Sequence, residues 1–384
     1  MKIGIDIRLI GKKRTGDEVV IFNLVKNLAL IDSKNEYILL TDADGKEQLK
    51  QINNRLGIKN KTNFKIVSLP ACNRFAWNFW TLPRYLRKDP VDIYHTQYIT
   101  PWFVPKKIKI VTIIHDISFN FFPQLVGFLD LVFLKTLIPI SFKRADKIIA
   151  VSQFTRDEII RFYKINPDKI DYVYNSISDE FLTDKISEER LIEIRKKYNL
   201  PEKFILYIGT LQPRKNIPQL IEAFGRIKDK LKDYKIVICG NKKASNYDKK
   251  IENSIKINNL EIDIIFPGFI DENDKKTVFG LAHVFAYPSL YEGFGIPVLE
   301  AMSQKVPVLV SDIPSLKEIA GTGASYFDTA SIDDFSQKLY DICINNKLRE
   351  ELIRSGKERI SFFSWKKSAE KMLAIYEKLQ HNYK

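Results

Sequence analysis

Cysteine and histidine are scarce in this chain of 384 residues. The three cysteines (Cys72, Cys239, Cys343) and the four histidines (His95, His115, His283, His381) lie far apart. None has the spacing of a zinc site or a redox dithiol, so no metal is expected, and the cysteines read as free buried thiols of a reducing compartment. The opening Met-Lys-Ile-Gly-Ile-Asp-Ile-Arg runs directly into a strand, without the apolar core of a signal peptide. Long apolar runs are missing too. The most apolar region, Phe119 to Phe142, is broken by Pro123, Asp130, Lys135 and Pro139. A membrane span wants ~20 apolar residues, so this region reads instead as buried helix lining a cleft. There is no internal repeat and no low-complexity tract. The expected compartment is the cytoplasm.

Positive charge, by contrast, is plentiful: 61 Lys and Arg against 47 Asp and Glu, a formal +14. Such a balance favours acidic partners, namely nucleic acid, anionic lipid or phosphorylated substrates. No zinc-finger spacing or RNA-binding aromatic signature accompanies it, so nucleic acid is not expected. With 45% hydrophobic residues the chain can fill two cores of ordinary size. Strand-like runs alternate with helical ones: Ile3–Ile7, Tyr37–Thr41, Phe64–Ser68, Asp92–Tyr94, Ile108–Ile114, Lys147–Val151 and Lys169–Tyr174. After the charged, helical stretch 178–198 the alternation resumes at Phe204–Gly209. It continues through Lys235–Cys239, Ile262–Phe266, Val284–Tyr287, Pro307–Val310 and Ala324–Phe327. The pattern predicts an α/β protein of two doubly wound, Rossmann-like domains. Ligands of such domains bind at the carboxyl ends of the strands, here in the crevice between the two.

The densest chemical signal is Tyr-Glu-Gly-Phe-Gly-Ile-Pro-Val-Leu-Glu-Ala-Met, residues 291–302. Gly293 and Gly295 flank Phe294, so the backbone can bend tightly and admit a ligand. Pro297 suits the first turn of a helix. That turn's amides and the helix dipole suit a phosphate. Glu292 precedes the helix and Glu300 sits about one turn inside it, so both carboxylates can border one pocket. Carboxylate oxygens suit vicinal diols, and diols beside a phosphate describe a nucleotide sugar. A second signal is Thr210-Leu-Gln-Pro-Arg-Lys-Asn216, placed directly after a strand. Arg214 and Lys215 there read either as a solvated basic turn or as cations that neutralise a diphosphate. His115-Asp116 follows another strand, where a histidine can cap the strand end. Ser152 reads as a helix N-cap.

The 291–302 segment resembles the E-x7-E signature of the retaining family 4 glycosyltransferases, which adopt the two-domain glycosyltransferase B fold. The resemblance runs from the first strand to the last helix. It implies that Glu300 holds the nucleotide ribose, that Glu292 reaches the donor sugar, and that Gly293, Phe294, Gly295 and Ile296 line the donor site. Lys215 matches the family's lysine. Thr210 stands where the family often has arginine, and Arg214 is the substitute. His115 with Asp-Ile-Ser-Phe after it resembles a subgroup of bacterial mannosyl- and rhamnosyltransferases of surface polysaccharide assembly, in which the histidine reaches the donor sugar. Gly268-Phe269-Ile270 matches the loop whose backbone meets the nucleobase. Gly16 remains of a glycine-bearing loop after the first strand, preceded by Lys12, Lys13 and Arg14 and followed by Asp17 and Glu18. Tyr174-Asn-Ser-Ile177 matches the segment before the interdomain linker.

The implied organisation is an acceptor-binding domain over 1–178, a donor-binding domain over 179–364, and a last helix, 365–384, that packs back on the first. The implied reaction moves a hexose from a nucleoside diphosphate sugar, GDP-mannose first and UDP-hexose or dTDP-rhamnose next, to a hydroxyl of a glycan or lipid-linked acceptor. The anomeric configuration is retained, and no cofactor or divalent metal is needed. An epimerase of the same fold and a non-catalytic basic binder of membrane or anionic polymer are the alternatives. Finally, Arg74-Phe-Ala-Trp-Asn-Phe-Trp80 and Arg84-Tyr-Leu-Arg-Lys88 mix aromatics with cations. They read as an amphipathic helix packed on the sheet with its cations in water. The other reading is a face laid on an anionic membrane, which fits a lipid-linked acceptor and an enzyme at the inner membrane surface.

Overall fold

The computed structural model describes residues 1–12, 16–183, 186–244 and 246–381. Lys13, Arg14 and Thr15 of the basic loop lie outside them. The chain forms two compact units. One comprises Met1–Ile117, Phe128–Asn175 and Ser364–Lys384; the other comprises Ser118–Gly127 and Ser176–Phe363. The contacts thus part the chain at 175/176, where the sequence suggested 178/179. They also assign a short excursion after His115 to the second unit, where the Phe121 ring lies 5.4 Å from that of Tyr291.

The first unit holds a seven-stranded sheet of β1 (Lys2–Asp6), β2 (Glu36–Thr41), β3 (Phe64–Ser68), β4 (Ile93–Gln97), β5 (Lys109–Ile114), β6 (Lys147–Ala150) and β7 (Ile170–Tyr172). Its order is β3-β2-β1-β4-β5-β6-β7, with every neighbouring pair parallel. Parallel strands buried on both faces read as continuous Val/Ile/Leu runs, as Lys-Ile-Val-Thr-Ile-Ile of β5 does. The strand order reverses between β1 and β4. That reversal splays the loops after β1 and β4 to opposite sides and opens a crevice at their carboxyl ends. The helix Trp365–His381 packs along Gly16–Ile31 in this unit, burying Trp365, Met372, Ile375 and Tyr376.

The second unit repeats the plan with six strands: β8 (Lys203–Ile208), β9 (Tyr234–Cys239), β10 (Ile264–Gly268), β11 (Val284–Tyr287), β12 (Val308–Ser311) and β13 (Ala324–Phe327). The order is β10-β9-β8-β11-β12-β13, again all parallel, with the reversal between β8 and β11. The helix Ile217–Ile227 shows why these segments are helices. Ile217, Leu220, Ile221, Phe224 and Ile227 recur at three- and four-residue spacing and are all buried. Each such side chain stabilises the unit by about 1.5–3 kcal/mol.

Two expectations fail. Phe119 to Phe142 is not a buried helix: the helix Phe128–Arg144 buries only Leu137, Ile138, Ser141 and Phe142, all in its second half. Phe128, Leu129 and Val132 in its first half are exposed. Apolar side chains ring this helix, and a helix packed on one side cannot bury them all. Cys239 and Cys343 are buried free thiols, but Cys72 is exposed, because it lies in the loop before the helical segment at Arg74.

Candidate active site

In the second unit the strand order brings the loops after β8 and β11 together. After β8 the chain makes a helical turn, Pro213–Lys215, and Asn216 adopts a left-handed conformation (φ 53°) that starts the helix Ile217–Ile227. Asparagine tolerates that region because its short polar side chain bonds locally. The turn directs Arg214 and Lys215 towards the loop after β11. Lys215 is buried, and its ammonium donates to the Tyr287 hydroxyl (2.8 Å) and to the Glu292 carboxylate. The Arg214 guanidinium lies 3.4 Å from the other Glu292 oxygen and donates to the Tyr291 carbonyl. The Leu290 amide donates to the Arg214 carbonyl (2.9 Å), so the two loops are also bonded through backbone.

Electrostatics follow from this packing. Burial alone would raise the Glu292 pKa, but the Lys215 and Arg214 charges outweigh it and hold the carboxyl at about 2. Burial, then the Glu292 charge, pushes Tyr287 well above its ordinary pKa, so its hydroxyl stays protonated. The cluster carries two cations and one anion, a net positive charge held in place by fixed hydrogen bonds.

The helix Ile296–Ser303 begins immediately beyond. Its N-cap, Gly295, has φ 102°, and a Cβ there would meet Leu316 at 2.9 Å, so only glycine fits. Phe294 is buried against Phe363, and Ile296 and Pro297 are half-buried in the first turn. Glu300 is buried on this helix and accepts from the Lys275 ammonium at 2.6 Å. Lys275 belongs to the helix Glu272–Leu281, which starts just after Gly268, Phe269 and Ile270. Gly268 takes φ 86°, Phe269 is exposed and Ile270 is buried. Thr210 is exposed, its carbonyl accepting from the Tyr207 hydroxyl (2.8 Å).

Thus Arg214, Lys215 and Glu292 form one bonded cluster. Glu300, on the next helix, is held by a different cation. Lys275 and Tyr287 were missed by sequence reasoning. Lys275 sits in an unremarkable lysine pair, and Tyr287 reads as one more apolar strand residue.

The first unit shows the matching arrangement at its own reversal. His115, just past β5, is nearly buried, with Nε2 2.7 Å from the Gln97 side-chain oxygen at the end of β4. Nδ1 lies 3.6 Å from the Asp17 carboxylate. Asp17 and Glu18 form the first turn of Gly16–Ile31, where acids suit the helix dipole. Glu18 is buried and paired with Arg55 (2.9 Å). A Cβ at Gly16 would meet nothing within 4 Å. Ser152 caps Gln153–Tyr163, its hydroxyl accepting from the Thr155 amide (3.0 Å).

Residues 14–181 match the family described as Glycosyltransferase Family 4, and residues 191–359 match Glycosyl transferases group 1. Together the two matches take in most of the chain. The chain belongs to the family 4/group 1 glycosyltransferases. Among curated relatives of this chain, O-antigen chain mannosyltransferase B of Escherichia coli is 27% identical over 93% of the chain and 94% of its own length. Serotype-specific mannosyltransferase WbdA of Escherichia coli is 30% identical over 59% of the chain, a match spanning 28% of WbdA. The solved glycosyltransferase from Rickettsia africae superposes with a TM-score of 0.75 at 18% identity, over 99% of both chains. That likeness shows the fold, two Rossmann-like parallel-sheet units as in the glycosyltransferase B enzymes.

Proposed function

We propose that the protein transfers a hexose from a nucleoside diphosphate sugar to a hydroxyl of a glycan or lipid-linked acceptor, with retention, and that the first donor to test is GDP-mannose. The observation that carries this reading is the buried Arg214–Lys215–Glu292 cluster in the second unit, immediately ahead of the helix that bears Glu300. A departing nucleoside diphosphate gains negative charge as the glycosidic bond breaks. Cations already oriented towards it stabilise that charge without reorganising. Glu292 and Tyr287 orient Lys215 in this way, and the first turn at Gly295 adds amides and dipole. With that charge supplied by side chains, the reaction proceeds without a divalent metal or other cofactor. Glu300 takes the ribose hydroxyls and Glu292 the sugar; Gly268, Phe269 and Ile270 lie at the base. The first unit supplies acceptor contacts; by the family resemblance His115 reaches the donor sugar and Gly16 the donor phosphate or the acceptor. An acceptor on a lipid diphosphate would place the enzyme at the inner face of the membrane.

The mannosyl reading is supported by the names of the two Escherichia coli relatives. The test is product analysis with GDP-mannose, UDP-hexoses and dTDP-rhamnose and a lipid-linked acceptor, with the anomeric configuration read by NMR and chelator present in a parallel reaction. The expected product is an α-mannoside, formed equally with chelator. Donor epimerised without any acceptor product, or an inverted product, would overturn the reading.

A further inference from the structure

Three segments of the first unit lie side by side: 74–88, 99–108 and the helix Phe128–Arg144. Phe75 packs edge-on against Phe133 and Phe79 against Trp102, each with ring centres 5.0 Å apart. The Arg87 guanidinium donates to the Phe103 carbonyl at 2.8 Å. What these segments leave in solvent is apolar. Trp80 is 70% exposed, Phe103 64%, Phe128 77% and Leu129 80%. Single exposed apolar residues are ordinary, but four large ones on touching segments make a patch.

The backbone presents two of them deliberately. Trp77–Thr81 is a π-helical turn, uncommon and frequent at functional sites. By winding less per residue than an α-helix, it keeps Trp77 fully buried beneath the Arg8 guanidinium (4.4 Å) while Trp80 faces out. Phe103 adopts φ 58°, an outlier for so bulky a side chain. Its carbonyl accepts from Arg87, so the strained residue is tied to the segment that carries Trp80.

Around the apolar tips stand the exposed cations Arg84, Arg87, Lys88, Lys106 and Lys107. The one acid in the three segments, Asp130, is paired with Arg74. A groove of about 600 Å³ runs between Leu69, Phe79, Trp80, Arg84 and Lys88.

We infer that this face of the first unit lies on an anionic lipid bilayer. Trp80, Phe103, Phe128 and Leu129 enter the interface, and the five cations meet headgroup phosphates. A bilayer supplies an apolar layer and a negative surface at once, which is what the face complements. A second copy of the chain does not: a two-fold contact would set the same cations against one another. Among the described residues no helix is long and apolar enough to cross a membrane, so the contact is made from one side. The inference stands on this surface alone, and its failure would leave the transferase reading untouched.

The test is co-sedimentation of the full chain with phosphatidylcholine vesicles containing or lacking phosphatidylglycerol, with tryptophan emission recorded in parallel. Binding should require phosphatidylglycerol and weaken with salt, with a blue shift in emission. A charge variant, Arg84→Glu/Lys88→Glu/Lys107→Glu, should lose on the order of a hundredfold or more in affinity, given about 1 kcal/mol per cation near such a surface. An apolar variant, Trp80→Ser/Phe128→Ser/Leu129→Ser, should lose affinity and the blue shift while keeping the wild-type melting temperature. Binding undiminished in both variants, or no binding at low salt, would overturn the inference. So would a wild-type dimer in sedimentation that the apolar variant abolishes, which would assign the face to a second copy.

Discussion

The two units carry their polar chemistry at the same topological place, where the strand order turns back on itself, and they equip it differently. At the β8/β11 reversal three charges are bonded to one another and Lys215 and Glu292 are buried, so their positions are set before any ligand arrives. At the β1/β4 reversal His115 touches neutral Gln97 closely and Asp17 only at 3.6 Å. A prearranged charge field suits stabilising a leaving group. A histidine held by one neutral hydrogen bond beside a half-exposed carboxylate suits a partner that varies in shape. One fold plan therefore supports two kinds of site because the loops, and not the sheets, carry the difference.

The comparison is broken most severely at the ion cluster. Lys215→Ala and Glu292→Ala should each lower turnover by ~10²–10³. Glu292→Ala should also cost about 3–5 kcal/mol of stability, because the buried Lys215 is left without its carboxylate; Lys215→Ala should cost less, because Arg214 stays 3.4 Å from Glu292. Because Glu292 pairs with both cations, the variant Arg214→Met/Lys215→Met/Glu292→Leu should recover most of that stability and none of the activity. Denaturant melts beside single-turnover rates would show it, and recovery of both would make the cluster merely structural.

Acid tests both units next. Burial holds the His95 imidazole neutral, with its pKa down at about 3, while it bonds the Tyr376 hydroxyl. Its unfolded pKa lies near 6.5, so the unfolded chain binds the extra proton. The stability contribution of His95 is complete above that pH and is lost as pH falls towards 3. The Glu292 contribution is complete above its ordinary pKa of 4.5 and is lost only as pH falls towards 2. Burial, then the Arg349 charge, lowers the His283 imidazole of the second unit to about 4 as well. Melting temperature should therefore begin to fall below pH 6.5 through both histidines, and His95→Gln should remove the His95 part of the slope between pH 6.5 and 4.5. An unchanged slope in that variant would assign the titration elsewhere.

Lys275→Met removes the cation that orients Glu300 and touches neither Glu292 nor Lys215. A charge-assisted hydrogen bond of this sort is worth about 1.5–3 kcal/mol. Donor KM should rise by roughly ten- to a hundredfold with kcat little changed, and Lys275→Arg should restore part of it. Smaller still, Gly295→Ala should destabilise by about 1–3 kcal/mol through its left-handed backbone and the Leu316 contact. Gly16→Ala should stay within about 0.5 kcal/mol, since its Cβ meets open space. A large loss at Gly16 in donor or acceptor affinity, with stability intact, would show a ligand passing close to that backbone.

Most elements were legible in the chain because helix and strand periodicity are local. The strand at Phe64–Ser68 and those at Val284–Tyr287 and Ala324–Phe327 agree with expectation, most others shift by one or two residues, and β4 runs three residues further than expected, to Gln97. The burial of Phe119 to Phe142 was misjudged because composition reports apolarity and not which side of a helix finds a neighbour.

From sequence alone came the alternating strands and helices, the glycine at 295 ahead of a helix, and the basic turn following a strand. These depend on residues within a few positions of one another. Tertiary structure alone decided that Lys215 meets Glu292, that Lys275 rather than Lys215 holds Glu300, and that His95 meets Tyr376 near the far end of the chain. Such pairings are fixed by the order in which strands lie in a sheet, and no local pattern encodes that order.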